Sequence, residues 1–146
     1  MRKLLFICLL LFGCATPLVI SPTLIQDANL AVAALNTLSG DMTLLGAPAA
    51  DATAISLVTG AIQTALTDLE SGAKTPADLV QLVNDQVSTM APTLLKDFAT
   101  NNKITTGVIL LQQLLPLMAA EVTAQPTVAA RLGDARKDLQ DWVNSK

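Results

Sequence analysis

The chain has 146 residues, a length that favours one domain. It is 51% hydrophobic and only 14% charged, against about 25% charged in an ordinary soluble domain, so it has ample material for a core. Its net charge of −3 comes with no basic stripe and no aromatic platform, which argues against nucleic-acid binding. Aromatic residues make up 3% of the chain, and Leu, Ala, Val and Ile supply the apolar mass. That balance suits helix packing better than a β-sandwich.

The N-terminus reads as an export leader. Arg2-Lys3 is a short positive region, and Leu4 to Phe12 is an apolar run of nine residues. Such a run falls within the length of a secretory signal and well below the roughly 20 residues that span a bilayer. Thr16-Pro17 then breaks the helix, because proline restricts the residue before it and lacks a backbone donor.

The run closes on Leu11-Phe12-Gly13-Cys14, which resembles a bacterial lipobox. The resemblance implies cleavage before Cys14, diacylglycerol on the Cys14 sulfur and acylation of the new amine. Phe12 departs from the pattern, which usually has a smaller residue there. Ala15 stands where the family's inner-membrane retention residue is Asp, which points to the outer membrane, on its periplasmic face. The division expected is a signal peptide over 1–13, a tether over 14–21 and a helical domain over 22–146. Two alternatives stand beside it. Gly13-Cys14-Ala15 also fits ordinary signal peptidase, giving a secreted or periplasmic soluble protein, and an uncut leader gives a small integral membrane protein. Without Arg2 and Lys3 the chain keeps seven basic and twelve acidic residues, a net of −5. Cys8 would leave with the leader and Cys14 would be a thioether, so no disulfide is expected in the mature domain.

Five segments then show helical spacing of apolar residues. The first carries Leu24, Ala28, Ala31, Leu35, Leu38, Met42 and Leu45, stepping alternately by four and three. Gly40 marks a candidate break, and Gly46 and Pro48 end the segment. The second is expected to start with Asp51 as N-cap, bury Ile55, Val58, Ile62, Leu66 and Leu69, and stop at Gly72. Thr75-Pro76-Ala77-Asp78 opens the third, with a cap, a first-turn proline and an acid at the third position. Its stripe is Leu79, Leu82, Val83, Val87, Met90, Leu94 and Phe98, and Pro92 is expected to kink or divide it.

Asn101-Asn102 is a turn before the fourth segment, which carries Val108, Leu111, Leu115, Met118, Val122 and a second internal proline, Pro116. Its stretch from Gly107 to Ala120 is the most apolar after the leader. At 14 residues with two glutamines it reads as a core helix. Gln125-Pro126 opens the last segment, with Val128, Leu132, Ala135, Leu139 and Trp142 in register; Trp142 is read as stapling this helix to the bundle. The fold expected is all-α, a compact bundle of four to five antiparallel helices with short turns.

Chemistry is sparse. The chain has no His and no Tyr, which removes the usual base near neutral pH and most nucleophile and zinc constellations. Asp51, Asp78 and Asp27 read as helix caps or first-turn acids, and Asp134 and Asp138 as part of a solvated face with Arg131, Arg136 and Lys137. No calcium loop and no glycine-rich phosphate cradle is present. The reading is non-enzymatic, with no metal and no cofactor. Two roles are expected: an envelope lipoprotein, bacterial or prophage-borne, held at the membrane through Cys14 and presenting its bundle to a protein partner; or a binding module for an apolar ligand. The second places a groove at Met90, Leu94, Leu115 and Met118, between the proline-bearing helices.

Overall fold

A computed structural model describes residues 21–122 and 129–145. The leader, the tether up to Ile20, Cys14, the Gln125-Pro126 opening, Val128 and the side chain of Leu132 lie outside the described residues. Five helices follow one another: α1 (Pro22–Leu44), α2 (Ala49–Glu70), α3 (Pro76–Asp97), α4 (Asn102–Val122) and α5 (Ala129–Asn144). No strand occurs among the described residues. The fold is the expected all-α bundle.

Short connections make α1 to α4 successive antiparallel neighbours. α1 packs on α2, α2 on α3, α3 on α4, and α4 returns to α1, closing a four-helix ring. α5 lies against both α1 and α4. Lys103 at the start of α4 bonds Asp41 near the end of α1 and also Trp142 near the end of α5, so α5 runs parallel to α1.

The stripes read from the sequence form the core. Leu24, Ala28, Ala31, Leu35, Leu38 and Met42 of α1 are almost wholly buried, and so are Ile55, Ile62 and Leu69 of α2, Leu79, Val83 and Val87 of α3, and Val108, Leu111 and Met118 of α4. Each fully buried Leu, Ile, Val or Met side chain among these stabilises by roughly 1.5–3 kcal/mol. Ile104 and Leu114 extend the buried stripe of α4, which packs on both α1 and α3. By length and composition, Asn102–Ala120 is also apolar enough to cross a membrane, with a mean hydropathy of 1.3.

Four local expectations need correction. α1 runs unbroken through Gly40, whose position is exposed. The cost of one glycine, about 1 kcal/mol, is smaller than what burial of Leu38 and Met42 on either side returns. Leu45 lies past the helix end and is 54% exposed. α2 begins at Ala49 after Pro48, so Asp51 is a first-turn acid and not the cap. Pro92 divides nothing: α3 is one helix from Pro76 to Asp97, its proline ring exposed and Met90, Ala91 and Leu94 buried beside it. Pro116 sits likewise inside α4, on its exposed side.

Several helix ends satisfy their spare backbone groups locally, while the starts of α1 and α2 carry no side-chain cap. Gly46 and Gly72 adopt φ of 69° and 78°, the left-handed turn that closes α1 and α2. At the head of α3, Thr75 Oγ1 accepts from the Asp78 amide at 3.2 Å, and the Thr75 amide donates to the Asp78 carboxylate at 2.8 Å. Asn101 caps α4, its Oδ1 accepting from the amides of Lys103 and Ile104, both at 3.1 Å. Threonines inside helices satisfy themselves: buried Thr59 donates to the Ile55 carbonyl one turn back at 2.9 Å.

Candidate functional site

The feature best suited to holding another molecule is an open groove of about 490 Å³ between α3 and α4. Val80 and Leu115 form its floor, at 8% and 5% exposure. Exposed Pro116, Ala119 and Val122 make an apolar rim on the α4 side, while Gln81, Asn84 and Ser88 make a polar rim on the α3 side. Gln112, half-buried, lines the end toward the middle of the bundle. Among the described residues lining it, none is charged.

Each internal proline stands one turn after a groove residue. Proline has no N–H, so Pro92 and Pro116 offer no helical donor to the carbonyls four residues earlier, those of Ser88 and Gln112. Both of those residues line the groove. Gln113 points away and is exposed.

The four residues singled out from the sequence are not gathered in one place. Leu115 belongs to the α3/α4 groove. Met90 and Leu94 line a smaller groove of about 330 Å³ between α2 and α3, together with Asp51 and Leu57. Met118 is fully buried in the core. A third depression, of about 900 Å³, lies between α1 and the Lys103 and Val143 ends of α4 and α5. Lys103 spans the Asp41 carboxylate there: its Nζ donates to Oδ1 at 3.1 Å and lies 3.0 Å from Oδ2, which gains no aligned hydrogen bond.

Two relationships escaped the sequence reading. Asp27 is no exposed first-turn acid. It is fully buried and takes a two-pronged ion pair from Arg136, with Nε donating to Oδ1 and Nη2 to Oδ2 at 2.9 Å. Arg136 therefore leaves the solvated face to which the sequence assigned it. The available signal was position: residue 27 sits on the apolar side of α1, between Leu24 and Leu30, where an acid requires a base. The second is Gly107, whose missing side chain makes room for the Trp142 ring; a Cβ there would overlap its six-membered ring. Trp142 is 8% exposed, and its indole N–H donates to the Lys103 carbonyl at 3.1 Å. This is the staple expected of it.

The titration of Asp78 is displaced. The Thr75 amide, then the Thr75 hydroxyl, hold its carboxyl below the ordinary aspartate value, with Lys74 adding a smaller pull. The cause is a helix cap, which is structural. Among the described residues, no three acids or thiols gather as a metal-ligand set. Compared with family models, curated proteins and solved structures, the chain finds no match.

Proposed function

We propose that this chain is an exported lipoprotein, fixed to a bacterial envelope membrane through acylated Cys14, whose small acidic helical bundle serves a non-catalytic role as a surface for a protein partner. The observation that carries the reading is the order Arg2-Lys3, nine apolar residues, and Leu11-Phe12-Gly13-Cys14. It is supported by the bundle downstream, whose described helices share one hydrophobic core from Leu24 to Trp142. Two or more acyl chains suffice for stable anchoring, since each buried CH₂ contributes about 0.8 kcal/mol.

The partner surface is best sought on α2. Between Asp51 and Asp68 this helix carries no charge, and its exposed side presents Thr53, Ala54, Leu57, Gly60 and Thr64. Leu57 is 71% exposed and Leu44, at the end of neighbouring α1, is 86% exposed. Exposed apolar side chains on a charge-free helix face suit contact with another protein.

The test is metabolic labelling of bacteria with a clickable fatty acid. Wild-type chain takes up label and sediments with membranes. Cys14→Ser takes up none. Label retained by Cys14→Ser, or wild-type chain without label, contradicts the reading.

A further inference from the structure

We infer that the α3/α4 groove receives one acyl chain of the protein's own lipidated Cys14, so that the bundle shields part of its anchor; this rests on the lipoprotein reading above. Position is the first argument. Antiparallel order puts Ser21 at the head of α1, Ala77 at the head of α3 and Val122 at the tail of α4 on the same end of the bundle. The groove's lining reaches Ala77 and Val122 at that end and extends toward Ser88 and Gln112. The tether starts at that end too.

Reach is the second argument. Cys14 precedes Ser21 by seven residues, which extend to at most about 25 Å. α4 packs directly on α1, and packed helices lie about 8–10 Å apart. The mouth at Val122 is therefore within range of a chain attached at Cys14.

Charge is the third argument, and it selects among lipids. A free fatty acid brings a carboxylate and a phospholipid brings a phosphate; either wants a cation at the mouth. Among the described residues, none lining the groove is cationic. An acyl chain joined through a neutral ester or amide needs none. Its head would meet the uncharged rim at Gln81, and its tail would cover Val80, Leu115 and Ala119.

Photo-crosslinking in the full chain tests this. A diazirine-bearing residue replaces Val122 in one version and exposed Leu57 on α2 in another. After irradiation of membranes, the peptides are analysed by mass spectrometry. The expected product joins position 122 to the acylated Cys14 peptide, with no such product from position 57. Adding Ala119→Trp, which fills the groove, should remove it. Equal adducts at both positions, adducts only to phospholipid or free fatty acid, or no lipid adduct at 122 overturns the proposal. The intact mass of the same sample separates the two readings: an acylated Cys14 without the adduct defeats the groove proposal alone, and an unmodified Cys14 defeats both.

Discussion

Asp27 and Arg136, 109 residues apart in the chain, form a two-pronged ion pair that ties α5 to α1. The aspartate is fully buried and the arginine side chain is 28% exposed. Removing the arginine alone strands a buried carboxylate. Arg136→Ala should cost about 3 kcal/mol, the low end for a broken buried pair because water reaches the guanidinium side. Asp27→Val with Arg136→Met should recover most of that loss, since an apolar pair of similar bulk is often neutral or better. Urea unfolding followed by the emission of Trp142, the single tryptophan, reads both values. Equal losses in the single and double variants would refute this account of the pair.

Gly107 gives a test with an inverted sign. Helix propensity favours alanine over glycine by about 1 kcal/mol. At Gly107 the added Cβ meets the Trp142 ring, and overpacking costs about 1–3 kcal/mol. Gly107→Ala should therefore destabilise, and Trp142→Leu in the same chain should relieve much of the clash. Gly60 is helical and exposed, and nothing lies within 4 Å of where its Cβ would stand. It should behave oppositely and gain up to about 1 kcal/mol as alanine. Thermal denaturation by circular dichroism ranks the three.

The capping box at Thr75 and Asp78 predicts a pH response. The folded state holds the Asp78 carboxyl below its ordinary 3.8, mainly through the Thr75 amide and hydroxyl. A depressed acid contributes stability that is fully present above its unfolded pKa and is lost as pH falls through its lower folded value. The contribution should thus persist at pH 5 and fade below pH about 3.8. Asp78→Asn should reduce stability at pH 6 and leave the most acidic part of the curve nearly unchanged. Thr75→Ala, which removes the cap, should cost about 1 kcal/mol at neutral pH.

On the outer face the expectation is silence. Leu57 is 71% exposed, and Leu57→Ser should shift stability by no more than about 0.5 kcal/mol. A larger loss by urea titration would mean that this face is covered in the folded protein and cannot receive a partner.

The fold was legible wherever burial and local hydrogen bonding agree. Leu24, Ala28, Ala31 and Leu35 announce α1 by spacing, and Thr75 to Asp78 announce α3 by capping chemistry, because both signals act within a few residues. Gly40 and Pro92 do not divide their helices, because a local penalty of one residue yields to a stripe of buried neighbours on both sides. Asp51 misled by one turn: an acid near a helix start can serve the dipole without being the cap. The partnership of Asp27 with Arg136 and the fit of Gly107 to Trp142 join residues far apart in the chain, and no periodicity encodes which distant helix arrives. The groove was legible in its helices but not in its lining. Rotation of α3 and α4 buries Met118 and sends Met90 toward α2, leaving Leu115 beside Val80 and Pro116.

The intact mass of the protein, recovered from cells that express it from the full-length sequence, tests the account most directly. The lipoprotein reading predicts a chain that lacks residues 1–13 and carries a diacylglyceryl group and an acyl chain on Cys14. A chain retaining Met1, or one that begins at Thr16 without lipid, contradicts it.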